Sequence, residues 1–326
     1  MRFAKTFYWI TVGAIVGAML SLIACNADPS TSASYRIVGY EPDWVADHPI
    51  PYEKLTHLNY AFLTVNRDGS INQGSINTAR MQNIITDAHK ANVKVLISVG
   101  GAANSQLGEA ATEARAKLIA NIEAFAAQYG FDGIDMDWEG PFNATEGAAY
   151  LELVKTLYAD LHPKGKLVTT ALDTGGWFGA NIPSESFAFL DFVNIMAYDG
   201  PNLENHSPFG FAKAGLEYWV SRGLAKSKAV IGVPFYGYDA SGQKGGRTRA
   251  YKDLVLSDSG ASGKDSSNGF GYNGIETIKQ KAQFAKDSAG GIMVWELSQD
   301  TGDGTSLMTA ISGVLPVTQP TRRSSP

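Results

Sequence analysis

Short apolar runs alternate with longer segments of helical periodicity along most of the chain. Eight runs rich in β-branched and apolar residues predict strands, at 35–40, 55–62, 94–99, 133–138, 166–171, 192–196, 229–234 and 291–295. Between them, apolar residues recur at the spacing of amphipathic helices, at 79–90, 109–129, 145–161, 211–222 and 275–286. Several strand runs are apolar nearly throughout, as in parallel sheets buried on both faces. This alternation predicts an α/β fold, a (β/α)8 TIM barrel.

Two other features bear on this fold. A doubly wound open sheet is the alternative, but it usually carries a Gly-rich phosphate loop after its first strand, and none follows Tyr40. Residues 237–273 are rich in Gly, Ser, Asp and Lys. They predict a small insertion between strands 7 and 8 over one edge of the barrel mouth, or else an ordinary long loop. We expect the catalytic barrel at 35–315 and a disordered tail at 316–326, which is rich in Pro, Ser and Thr.

The N-terminal segment has the pattern of an export signal. Arg2 and Lys5 precede an uncharged stretch, 7–24, which is short for a membrane-spanning helix. It ends in Leu-Ile-Ala-Cys at 22–25, which resembles the bacterial lipobox. The resemblance implies that Cys25 becomes the lipid-modified first residue of the mature protein. A plain secretory signal or an uncleaved anchor helix are the alternatives.

These observations predict a lipoprotein signal peptide at 1–24 and a flexible tether at 25–34, which is polar and lacks periodicity. We expect an exported, membrane-anchored lipoprotein on the outer membrane or the cell surface. Asn26, directly after the lipidation site, is compatible with outer-membrane sorting in an organism that has such a membrane. Cys25 is the only cysteine, which excludes an internal disulfide and any Cys-cluster metal site.

Composition narrows the class of ligand. The 326 residues include 27 Lys and Arg against 32 Asp and Glu, a net charge of −5, with no long basic run. Nucleic-acid binding needs a basic face, so we expect no nucleic-acid partner. The 35 Gly and 14 Tyr suit a neutral ligand such as a sugar. We expect a monomer that needs no cofactor and no metal.

Three carboxylates, Asp135, Asp137 and Glu139, alternate with large apolar residues along the fourth predicted strand. Because side chains alternate between faces of a strand, the three point the same way, into the barrel. Glu139 comes last, at the C-terminal end, where barrel active sites lie. Burial and mutual repulsion should raise at least one of their pKa values, as a general acid needs. A divalent-cation site or a solvated edge strand are the alternatives, and the five histidines lack metal-ligand spacing.

The segment DGIDMDWE at 132–139 matches the DxxDxDxE signature of glycoside hydrolase family 18, the chitinase family, and the chain resembles that family over most of 35–315. Other motifs resemble those of the family in the same order along the chain: SVGG at 98–101, MAYD at 196–199, GVPFYG at 232–237 and WE at 295–296.

The resemblance implies retaining hydrolysis assisted by the substrate's own acetamido group. Glu139 is implied as the acid and base, and Asp137 as the group that orients the acetamido N–H. Tyr198 is implied as the donor to the acetamido oxygen, and Asp135 as the residue that tunes Asp137 and could share a proton with it. The implied supporting and substrate-binding residues are Tyr40, Ser98, Gly101, Met196, Asp199 and Trp295.

Some aromatic residues that follow predicted strands are candidates for outer sugar subsites, with local packing as the alternative: Trp44, Trp177, Phe178, Phe209 and Phe211. The connection at 237–273 is shorter than the insertion domain of some family members. This favours an open cleft and endo-type cutting.

The first functional hypothesis is cleavage of β-1,4 bonds between N-acetylglucosamine units in chitin or chitooligosaccharides. A second hypothesis is an endo-β-N-acetylglucosaminidase acting on N-glycan chitobiose cores, or an enzyme directed at peptidoglycan. A third is an inactive sugar-binding surface lipoprotein. The expected partners are a glycan containing N-acetylglucosamine and, through the lipid, a membrane.

Overall fold

Eight parallel strands close into a barrel in the computed structural model, which describes residues 35–74, 76–176, 178–200, 202–240 and 248–317. The first strand pairs with both the second and the eighth, which excludes an open sheet and confirms the predicted barrel. The strands are β1 (Arg36–Pro42), β2 (His57–Val65), β3 (Lys94–Gly100), β4 (Gly133–Asp137), β5 (Leu167–Leu172), β6 (Phe192–Ile195), β7 (Ala229–Pro234) and β8 (Gly291–Trp295).

Eight α-helices are described, mostly in the connections between strands. They are α1 (Thr78–Lys90), α2 (Leu107–Glu113), α3 (Arg115–Tyr129), α4 (Ala144–Leu161), α5 (Phe209–Ser221), α6 (Tyr251–Ser257), α7 (Ile275–Ser288) and α8 (Leu307–Val314). The prediction of one helix over 109–129 is wrong, because Ala114 leaves helical geometry (φ −131°, ψ 23°) and separates α2 from α3. The β1–β2 and β5–β6 connections contain 3-10 turns instead of α-helices.

Side-chain alternation divides the core into two layers. On β4, Ile134 and Met136 join the large apolar layer between strands and helices. Burying an aliphatic side chain of this size contributes roughly 1.5–3 kcal/mol. Asp135 and Asp137 point the other way, into the barrel, where they are also buried. The strand therefore stabilises the fold with one face and carries polar groups on the other.

The segment between β7 and β8 contains a small antiparallel sheet with α6. Its strands are Tyr236–Asp239, Thr248–Ala250, Ser266–Ser267 and Phe270–Gly271. Tyr238 and Ala240 from this insertion line a cleft at the C-terminal ends of the barrel strands, so the insertion forms part of the barrel mouth.

The predicted signal peptide, Cys25, the tether, Trp177 and positions 318–326 of the tail lie outside the described residues. Within the described ranges, no helix combines the length and apolar character needed to cross a bilayer.

Candidate active site

A cleft of about 1560 Å³ opens at the C-terminal ends of the barrel strands. Its lining includes Tyr40 from β1, Asp137 at the end of β4, and Glu139 just beyond it. Tyr198 follows β6 and Trp295 ends β8, so parallel strands bring residues distant in sequence to one edge of the barrel. The structure thus gathers these five predicted site residues in one cleft.

Asp135 lies beneath the cleft, fully buried, with four hydrogen-bond donors. Tyr40 Oη (2.7 Å) and Ser98 Oγ (2.8 Å) donate to Oδ2. Thr169 Oγ1 (2.6 Å) and Asn194 Nδ2 (3.3 Å) donate to Oδ1. Burial raises the pKa of Asp135, and the four hydrogen bonds oppose that rise. Sequence reasoning missed Thr169 and Asn194, although both are polar residues within predicted strands.

Asp137 has a different environment although it is also buried. Its Oδ1 has no hydrogen-bond partner among the described residues. Burial, then the charges of Glu139 and Asp135, raise the pKa of Asp137 well above its usual range. No direct hydrogen bond joins Asp137 to Asp135 in the described structure, so their coupling is electrostatic. An unpaired buried carboxyl oxygen is costly, and a ligand N–H in the cleft would satisfy it.

Glu139 and Tyr198 complete the polar centre of the cleft. Burial, then the charge of Asp199, raise the pKa of the half-buried Glu139. Burial also raises the pKa of Tyr198 well above its usual value. Among the residues that the structure describes, the Tyr198 hydroxyl has a single hydrogen-bond contact, with the weak acceptor Met293 Sδ at 3.9 Å. A carboxyl with a raised pKa and a phenol with a weakly engaged hydroxyl are both suited to donate hydrogen to a ligand oxygen.

Asp199 is held from two sides. Its side chain accepts a hydrogen bond from the Tyr236 hydroxyl, and its backbone adopts φ 55°. Its backbone N–H donates to Nδ1 of the buried His206 (3.2 Å), and Nε2 of the same ring lies 3.2 Å from the Tyr236 carbonyl. Sequence reasoning gave His206 no part in the site, since contact across this loop leaves no spacing signal.

An aromatic floor lies beside these polar groups. The Trp295 ring stacks on Phe62 with centroids 5.6 Å apart and an interplanar angle of 17°. Tyr40 meets Trp295 edge-on at 5.5 Å, and Trp44, 65% exposed, lies 6.5 Å away. Gly101 lies next to this floor, because a Cβ there would come 2.5 Å from the Phe62 ring.

The remaining candidates divide between cleft and core. Met196, Asp199, Phe178 and Phe211 line the cleft. Phe209 instead packs edge-on against Phe284 at 5.4 Å. Across the part of the chain that the structure covers, no group of three or more His, Cys, Asp or Glu side chains is arranged to hold a metal ion.

Chitinases of known structure are similar to this chain in sequence and fold. The chain is 30% identical to a chitinase from Bacteroides thetaiotaomicron, covering 86% of this chain and 96% of that one, with a TM-score of 0.78. It is also 30% identical to a GH18 chitinase from the chitin utilization locus of Flavobacterium johnsoniae, covering 87% and 94%, with a TM-score of 0.76. A class V chitinase of Arabidopsis thaliana is 28% identical over 316 residues, covering 77% of this chain and 82% of that protein.

The family model described as "Glycosyl hydrolases family 18" matches residues 36–300, which include all eight barrel strands and the carboxylates of β4. The chain therefore belongs to glycosyl hydrolases family 18.

Proposed function

We propose that this protein is a retaining glycoside hydrolase that cleaves β-1,4 bonds between N-acetylglucosamine units in chitin or chitooligosaccharides. One observation carries the proposal: Asp137, whose Oδ1 has no hydrogen-bond partner among the described residues, lines the cleft together with Glu139, whose pKa is raised by burial. An acetamido N–H is a ligand group that would pair with Asp137. The similar proteins named as chitinases support the same substrate class.

In the proposed first step, Glu139 gives its proton to the glycosidic oxygen as the bond to the anomeric carbon breaks. The carbonyl oxygen of the sugar's 2-acetamido group forms a new bond to that carbon, giving an oxazolinium intermediate. Asp137 accepts a hydrogen bond from the acetamido N–H and stabilises the positive charge that develops on that group. Tyr198 donates to the acetamido oxygen and orients it for attack, so proximity replaces a protein nucleophile.

In the second step, water attacks the anomeric carbon and loses a proton to the Glu139 carboxylate. The bond to the acetamido oxygen breaks, and the anomeric configuration is retained because the carbon has been attacked twice. Trp295 would pack against the apolar face of the reacting sugar, and Phe62 beneath it would keep the indole in place.

The decisive assay compares chitotetraose and a high-mannose glycopeptide as substrates of the purified protein. We expect cleavage of chitotetraose, with the β-anomer as first product by NMR. Glu139→Gln should abolish turnover while sugar binding persists. Cleavage of the glycopeptide alone would instead support the N-glycan hypothesis, and unchanged activity of Glu139→Gln would remove Glu139 from its assigned role.

We further propose that the enzyme is exported and held at a membrane by lipid on Cys25. The uncharged stretch at 7–24 and the lipobox-like end at 22–25 support this. Cells expressing the wild type should incorporate labelled palmitate into the protein, whereas Cys25→Ser should incorporate none and leave the membrane fraction. Equal labelling of both proteins would contradict the proposal.

A further inference from the structure

A fully buried lysine, Lys281, lies on α7 behind the loop that follows β6. Its ammonium donates to the Ser207 carbonyl (2.5 Å), to Ser207 Oγ (2.7 Å) and to Asn273 Oδ1 (2.6 Å). The three acceptors match the three N–H donors of an ammonium group. Within the described residues, no carboxylate forms an ion pair with it.

This arrangement is energetically unfavourable on its own. Burial lowers the pKa of Lys281 to about 7, against the opposing charge of Asp265. A buried cation without a carboxylate contact loses its hydration, and a hydrophobic side chain of similar volume is often equally stable in its place. Core packing alone therefore does not account for a lysine here.

Ser207, which accepts hydrogen bonds from Lys281, also hydrogen-bonds to Ala197, ten residues earlier in the loop that follows β6. Ser207 Oγ accepts from Lys281 and donates to the Ala197 carbonyl at 2.5 Å, next to Tyr198. Two further hydrogen bonds join the same parts of this loop: the Gly200 N–H donates to the His206 carbonyl (2.8 Å), and the Asp199 N–H donates to the His206 ring. Among the described residues the Tyr198 hydroxyl has only the weak contact with Met293 Sδ, and its ring meets Tyr236 edge-on at 6.3 Å, so this backbone contributes to the position of Tyr198.

We propose that Lys281 is a positioning residue for the cleft: by holding Ser207 it fixes the Ala197 carbonyl, and through it Tyr198 and Asp199. The proposal rests on the function proposed above, in which Tyr198 orients the acetamido group. Asn273 reinforces the contact, since its Nδ2 donates to the Ser207 carbonyl at 3.0 Å. We call the chain of contacts from Lys281 through Ser207 to Ala197 the clamp. Its loss should affect the chemical step more than substrate binding, because the aromatic floor formed by Trp295 is on another strand.

The first test is Lys281→Met, with Lys279→Met as its matched control on the exposed side of the same helix, where Lys279 pairs with Glu276. We expect kcat on chitotetraose to fall about tenfold in Lys281→Met with little change in KM, while Lys279→Met keeps wild-type values. A tenfold loss is a small fraction of the total rate enhancement of an enzyme and is typical of a misplaced orienting group. Unchanged kcat in a folded Lys281→Met would overturn the proposal.

A second variant decides whether Lys281 acts through Ser207. Ser207→Ala removes the link to Ala197 together with one of the three acceptors of Lys281, while the Ser207 carbonyl and Asn273 Oδ1 still bind the ammonium, and we expect a similar loss in kcat. The double variant should lose no more than either single variant, because both break one chain of contacts. Losses that multiply would show independent roles and contradict the clamp. Should Lys281→Met fail to fold, the response of kcat to Ser207→Ala decides the question.

Amide hydrogen exchange separates this proposal from the proposed function. The Asp199 and Gly200 amides should exchange at least about tenfold faster in Lys281→Met than in the wild type and in Lys279→Met. If the wild type cleaves no substrate containing N-acetylglucosamine, the proposed function fails, and the exchange rates still test the clamp. Equal exchange in all three proteins would refute the clamp whatever the enzyme hydrolyses.

Discussion

Asp199 and Glu139 face the same cleft, and after burial the charge of Asp199 is the second cause that raises the pKa of Glu139. The two residues come from different strand ends, β6 and β4. Asp199 therefore acts electrostatically on the proposed acid: its negative charge favours the protonated form of Glu139.

Replacing Asp199 with Asn should move the alkaline limb of the kcat/KM profile to lower pH. Removal of the negative charge makes ionisation of Glu139 easier, so its pKa falls and the protonated acid is lost earlier as pH rises. We expect a displacement of roughly half a pH unit for charges separated by partly solvated protein. Glu204→Gln is the control, since Glu204 lines the same cleft without contributing to the pKa of Glu139. A limb that stays in place or moves upward would contradict the assignment.

Asp137→Asn should stabilise the fold near neutral pH while removing activity. Because the folded-state pKa of Asp137 is raised, the folded protein holds this proton more tightly than the unfolded chain does. The free energy of unfolding therefore falls as pH rises from the ordinary range of Asp toward the raised pKa. Asn cannot ionise, so the variant should gain roughly 1 kcal/mol at pH 7 and nothing at pH 3. Thermal unfolding at both pH values tests this, and equal effects at the two would disprove it.

Much of the site was predictable because strand periodicity is local. The two-residue alternation on β4 assigns Asp135 and Asp137 to the interior and Ile134 and Met136 to the helix side, and the structure has both sets there. Glu139 could likewise be assigned to the barrel mouth, because it follows the C-terminal end of a strand that is visible in the local sequence.

The unpredicted residues depend on long-range register and loop closure. Thr169 meets Asp135 because β4 and β5 pair in that register, with Ser98 on the other side. His206 contacts Asp199 because the loop after β6 folds back on itself, and Lys281 contacts Ser207 of that loop because α7 packs behind it. The helix break at Ala114 could not be predicted from the apolar periodicity either, because α2 and α3 both have buried apolar faces.

Thr169→Val should lower both stability and activity. The substitution keeps the volume but removes the 2.6 Å hydrogen bond to Asp135, leaving Oδ1 with the longer bond from Asn194. Loss of a hydrogen bond to a buried charged group costs about 1–3 kcal/mol. The matched control is Thr170→Val: Thr170 is also buried but donates to the Met136 carbonyl on the opposite face. It should lose stability and keep kcat/KM, so equal kinetic losses in both variants would remove Asp135 from the catalytic arrangement.

Gly101→Ala should damage the aromatic floor. Gly101 adopts φ +82°, and an added Cβ would lie 2.5 Å from the Phe62 ring on which Trp295 stacks. A left-handed alanine alone costs roughly 1–2 kcal/mol, and displacement of Phe62 adds to that cost. Gly130→Ala separates the two effects, because Gly130 has a similar φ of +77° with open space around its Cβ position. Both variants should unfold at lower temperature, but only Gly101→Ala should raise KM for chitooligosaccharides; a normal KM there would show that the Phe62 support is dispensable for sugar binding.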